Sequence, residues 1–209
     1  MKRSSRVLLL CGVFFGLRLI TSCVNPDYSI YFDFDEVSIV NLDNSADYVM
    51  HAADDLMYSS AVAYEVTIAG KDLLAGNSSE IDRGKLFAFT AASAYSPELQ
   101  YISNQEITGI SIVTLREFSP SIPAGSDVTD LFVCHVPFHH ESDFLYIRTD
   151  ELQDFINIEI YSGEPATTFQ LFCSENIQNS SAQFTINVHL SDDRILNDTT
   201  SLIDLIPSD

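Results

Sequence analysis

The densest set of side chains able to do chemistry is the run Phe138-His139-His140-Glu141-Ser142-Asp143. Two imidazoles and two carboxylates within five residues are metal-ligand types, and neutral imidazole is a common transition-metal ligand. Successive residues of an extended chain point to opposite faces, so His139 and His140 do not readily share one ion. A solvated loop between strands accounts for the run more simply. His139, His140, Glu141 and Asp143 therefore stand only as candidate ligands, and no cofactor is expected.

Acidic pairs recur at Asp33/Asp35/Glu36, Asp54/Asp55 and Asp192/Asp193, as 30 acids in 209 residues make inevitable. Asp33 and Asp35 would share a strand face about 7 Å apart, from the ~3.4 Å rise per residue. That separation suits neither a calcium cage nor a catalytic carboxylate pair. No loop has EF-hand spacing, no G-x-S-x-G nucleophile elbow occurs, and no glycine-rich loop could cradle phosphate. His189 falls on the polar phase of its strand, while His51 and His135 stand alone. Nothing in these spacings argues for an enzyme, and no catalytic residue is assigned.

Two cysteines of the body, Cys134 and Cys173, sit in phase with apolar neighbours: Phe132 and Val136 on one run, Phe169 and Leu171 on the other. A disulfide would close a long loop and contribute roughly 4 kcal/mol in the chain-entropy model. Two buried free thiols acting as small hydrophobes fit the pattern equally. Trp is absent, so any aromatic binding platform falls to tyrosine, and Tyr31 lies out of phase with its apolar neighbours.

The elements that must position these residues are strands. Tyr28, Ile30, Phe32 and Phe34 alternate with polar residues, as do Val62, Tyr64, Val66 and Ile68, and Phe184, Ile186, Val188 and Leu190. Each reads as a half-buried strand with one wet face. Further candidates are 37–42, 86–92, 107–115, 131–138, 156–161 and 169–173. Turn residues separate them, as in Leu42-Asp43-Asn44-Ser45 and Ser191-Asp192-Asp193. Asp47–Ser60 and Thr149–Ile156 carry apolar residues at helical spacing and are expected to form short helical turns. Short strands without βαβ alternation predict an all-β antiparallel sandwich.

Charge divides the chain. Residues 1–22 hold four of the ten basic side chains and no acid. From Cys23 onward six basic side chains face 30 acidic ones, a net −24. Such a body does not wrap a phosphate backbone, which excludes nucleic acid. The start reads as a secretory signal: Lys2, Arg3 and Arg6, then the apolar run Val7–Leu17, then small residues. That run is too short for a membrane span, which needs about 20 residues. Ile20-Thr21-Ser22-Cys23 resembles a bacterial lipobox, in which Cys23 becomes the lipid-bearing first residue of the mature protein. The reading is a signal peptide over 1–22, a tether over 23–27 and one sandwich domain over 28–209, held to a membrane through lipid on Cys23.

Three segments are similar to small, functionally uncharacterised lipoproteins of Bacteroidetes: ISIVTLREFSPSIPAGSDVTDLF (110–132), QFTINVHLSDDRIL (183–196) and Asn41-Leu42-Asp43-Asn44. Their closing hairpin often has Gly where this chain has Asp193. The resemblance implies an immunoglobulin- or transthyretin-like sandwich on a lipid anchor in a Gram-negative envelope, with no catalytic residues to carry over. Acidic residues just after the cysteine help such lipoproteins reach the cell surface. Here only Asp27 is near, so both sides of the outer membrane stay open. The expected role is a non-catalytic binding or structural module with a protein or glycan partner. The competing expectations are a fimbria-like subunit pairing through an edge strand and an extracytoplasmic hydrolase.

Overall fold

The computed structural model describes residues 28–70, 99–136, 146–159 and 166–207. Alternation becomes strand wherever one phase can reach a shared core. The strands are β1 (Tyr28–Phe32), β2 (Glu36–Asp43), β3 (Met50–His51), β4 (Leu56–Tyr58), β5 (Val62–Ala69), β6 (Leu99–Ser103) and β7 (Ile107–Thr114). There follow β8 (Phe132–His135), β9 (Tyr146–Arg148), the helix α1 (Leu152–Glu159) and β10 (Ala166–Cys173). The chain closes with β11 (Ser181–Ala182), β12 (Phe184–Leu190), β13 (Ile195–Thr199) and β14 (Ile203–Ile206).

Six strands form one antiparallel sheet in the order β3-β2-β5-β10-β8-β9, and three form another in the order β13-β12-β7. Their inner faces share one apolar core. Tyr64, Val66, Phe169 and Leu171 come from the larger sheet, and Ile110, Ile112, Phe184 and Ile186 from the smaller. Phe184 is its aromatic hub, in edge-on contact with Tyr64 and Phe132 at 5.9 and 5.4 Å between centroids. The fold is all-β and sandwich-like, as the alternation predicts.

Two smaller sheets depart from a purely antiparallel plan. The pairs β1·β6 and β4·β14 are parallel. Each joins segments far apart in sequence, and a long connection removes the hairpin constraint that enforces antiparallel pairing.

Two local expectations are corrected. Asp47–Ser60 is not helical: it contains β3 and β4, and Met50 and Leu56 are more than half exposed while Met57 is buried. Asp54 Oδ1 accepts the Leu56 N–H at 3.0 Å, a local bond that competes with helix. The flanking backbone finds distant partners instead, Ala52 N–H on Asn41 O and Ser59 N–H on Ile206 O. The strand expected at 156–161 is also overturned as far as Glu159. The helical pattern at Thr149–Ile156 is realised as a single 3₁₀ turn running into α1, because Leu152 and Ile156, four residues apart, both enter the core. The strand expected at 86–92 lies outside the described residues. No helix among the described residues is long and apolar enough to cross a membrane.

The edge strand β7 is covered rather than open. Ile112 N–H donates to Thr129 Oγ1 at 2.8 Å, Val128 N–H donates to Ile112 O, and α1 supplies Asn157 to Ile107. Such covering protects an edge from pairing with another chain.

Candidate functional site

The register of the six-stranded sheet aligns residues that are far apart in sequence. Val40 lies opposite Glu65, Glu65 opposite Gln170, Gln170 opposite His135, and His135 opposite Tyr146. The core-facing phase is Tyr64, Leu171 and Cys134, so this row lies on the outer face. It spans four strand spacings, about 19 Å at ~4.8 Å each. His51, opposite Leu42 on β3, shares that face.

The row is bonded side chain to side chain. Gln170 Nε2 donates to Glu65 Oε2 at 3.4 Å, and His135 Nδ1 lies 3.2 Å from Gln170 Oε1. His51 Nε2 lies 3.5 Å from Glu65 Oε1. A carboxylate only accepts, so Glu65 must face the amide NH₂ of Gln170. That leaves Gln170 Oε1 toward His135, whose Nδ1 must then carry the donated proton. One carboxylate thus fixes an amide orientation and, through it, a proton on His135 Nδ1.

Aromatic and hydroxyl groups flank the row. Tyr146 is 51% exposed and stands edge-on to Phe172 at 5.2 Å, with the His135 ring 5.9 Å away. Leu42, Ala63 and Phe172 form a small buried cluster on the same face, with Val133 packed against it. On the other side of the row, Thr67 Oγ1 and Thr168 Oγ1 lie 3.1 Å apart. The result is a half-buried polar strip with one exposed aromatic ring, packed against Phe172, at its end.

The residues singled out from sequence fall elsewhere. Cys23 and the candidate ligands His139, His140, Glu141 and Asp143 lie outside the described residues. Cys134 and Cys173 are buried free thiols. Cys134 pairs with Leu171 and Cys173 with Phe132, so the two are diagonal neighbours. Diagonal Cβ atoms stand roughly 7 Å apart, beyond the ~4 Å of a disulfide. Burial pushes their thiols up to about 12 and about 11, and Cys173 Sγ donates to Glu175 O at 3.2 Å.

Asp33, Asp35 and Asp192 each have polar partners. Asp33 Oδ1 accepts from Asn104 Nδ2 and Gln105 Nε2, each at 2.8 Å, and these bonds hold its carboxyl below the usual aspartate range. Arg194 bridges Asp192 and Asp35 at 2.7 and 3.2 Å. Beside that bridge a shallow groove of about 590 Å³ runs between the start of β2 and β13. His189 is half-buried, with its Nε2 3.2 Å from Ser111 Oγ. Tyr31, out of phase in sequence, is 65% exposed. No group of three or more His, Cys, Asp or Glu among the described residues is disposed to hold a metal ion.

Glu65, His135 and Gln170 sit on the outward phase of strands legible locally, whereas the strand carrying Tyr146 has no such signal; the alignment of the row is a property of register alone. No protein-family model, curated protein or solved structure matches the chain.

Proposed function

We propose that the protein is a lipid-anchored envelope lipoprotein whose body is a non-catalytic binding module, with the outer face of the six-stranded sheet as its binding surface. The observation that carries this reading is the Glu65–Gln170–His135 row. Its planar side chains are half-buried and oriented by one another, which lowers the ordering cost that binding must otherwise meet. The anchor rests on the basic start, the short apolar run and the Ile20-Thr21-Ser22-Cys23 sequence. Acyl chains on Cys23 would hold the body to the outer membrane, each buried methylene contributing about 0.8 kcal/mol.

Hydroxyl-radical footprinting tests the surface. Val40, His51 and Tyr146 should be oxidised less in outer-membrane vesicles than in detergent-purified protein. Equal oxidation in both would remove the face from the reading. For the anchor, Cys23→Ala should move the protein from the detergent phase to the aqueous phase on phase partitioning; an unchanged distribution contradicts lipidation.

One feature favours the alternative of edge-strand assembly. Strand β4 has a partner on one side only among the described residues, and it exposes Leu56 and Tyr58. In that case Tyr58→Lys should abolish higher oligomers on native gels, whereas Tyr146→Ala should leave them intact.

A further inference from the structure

We infer that the strip from Glu65 to Tyr146 binds a neutral polysaccharide, an inference that rests on the binding-surface reading above and names its ligand class. Three features of the strip select that chemistry. First, its centre is a carboxylate, a carboxamide and an imidazole in one bonded line. A sugar hydroxyl both donates and accepts, so it can meet each of these groups, and its bond to the carboxylate is charge-assisted. The centres of protein–protein interfaces are instead depleted of charged residues and enriched in apolar ones.

Second, the ring at the end of the line is exposed yet held. Tyr146 is braced edge-on by Phe172 and lies beside His135, so it offers an apolar face at small conformational cost. The C–H face of a pyranose is the apolar counterpart of such a ring. Third, the body carries a net −24, which repels nucleic acid and acidic glycans alike. From Glu65 to Tyr146 the strip covers three strand spacings, about 14 Å at ~4.8 Å each, room for roughly two or three sugar units in a row, which favours an oligomer or polymer over a single sugar.

The test uses detergent-solubilised full-length protein on native gels cast with β-glucan, mannan, xylan or galactan, with polygalacturonate as the acidic control. At least one neutral polymer should retard the protein, and polygalacturonate should not. Binding followed by calorimetry should be the same at 20 and 500 mM NaCl, within about twofold, because no ion pair is made. Tyr146→Ala and Gln170→Ala should weaken it at least tenfold at a temperature where circular dichroism shows both variants still folded, and Tyr146→Phe, which keeps the ring, should retain it.

The inference is overturned if no neutral polymer retards the protein, or if Tyr146→Ala and Gln170→Ala bind as the parent does. Poly-L-lysine separates the two levels of the reading. Salt-sensitive capture of poly-L-lysine that is lost in the same variants would replace the glycan with a basic protein and keep the binding surface. Loss of both probes, with equal footprinting in vesicles and detergent, would remove the surface as well.

Discussion

Asn157 holds both backbone groups of Ile107. The Ile107 N–H donates to Asn157 Oδ1 at 2.9 Å, and Asn157 Nδ2 donates to Ile107 O at 2.8 Å. The same amide nitrogen also donates to Gln153 O, one helical turn back. A side chain on α1 thereby acts as one more rung on the edge of β7, beside a residue that is itself buried.

Asn157→Ala should cost about 2 kcal/mol, since it strands a buried N–H and a buried C=O that water cannot easily reach. Asn157→Asp keeps the acceptor and loses both donations, and should cost at least as much. Urea unfolding checks both variants: the midpoint should fall while the slope stays constant. An Asn157→Ala variant within 0.5 kcal/mol of the parent would show that the edge is satisfied some other way.

How much of this was legible follows from how local each cause is. The alternation through β5, β10 and β12 is a property of neighbouring residues, and it gave both the strands and their buried phase. In Asp47–Ser60, Val49, Ala53, Leu56 and Met57 have helical spacing, but Asp54 and the distant backbone of β14 decide the conformation. Glu65, His135 and Gln170 could each be placed outward by phase. Their meeting depends on register between strands up to 105 residues apart, which no local pattern carries.

Asp193 is the one non-glycine residue at positive φ among the described residues, at 66°. It lies in the β12–β13 hairpin, where Asp193 N–H donates to Leu190 O and Leu190 N–H to Arg194 O. A left-handed residue closing such a turn is most comfortable as glycine. Asp193→Gly should stabilise the protein by about 0.5 kcal/mol, the strain relieved exceeding the extra chain entropy of glycine. It also removes a carboxylate next to Asp192. Asp193→Ala should move Tm the other way, and a common direction for the two would rule out backbone strain as the cause.

Cys134 and Cys173 should remain thiols under oxidising conditions. Their diagonal placement leaves no disulfide geometry, and burial keeps the thiols protonated at neutral pH. Alkylation at pH 8 followed by peptide mass spectrometry should find both unmodified in native protein and both labelled in denaturant. A linked Cys134–Cys173 peptide in a non-reduced digest would contradict the register of β8 and β10.

Asp33 gives a pH dependence whose sign is fixed by its partners. Hydrogen bonds from Asn104 and then Gln105 favour the carboxylate, so its folded pKa lies below the ordinary aspartate value of about 3.9. A depressed folded pKa contributes stability that is fully present above the unfolded value and lost as pH falls through the folded one. Asn104→Ala should therefore lower the urea midpoint at pH 7, and the gap to the parent should close as pH drops below about 4. The same variant should move the Asp33 carboxyl titration, followed by NMR, upward toward the ordinary value. Gln105→Ala should do this too, but at greater cost. Gln105 Oε1 also accepts the buried Phe34 N–H at 3.0 Å, so its loss strands a backbone donor at every pH. A pH-independent deficit for Asn104→Ala would mean that its bond to Asp33 does not discriminate the carboxylate from the acid.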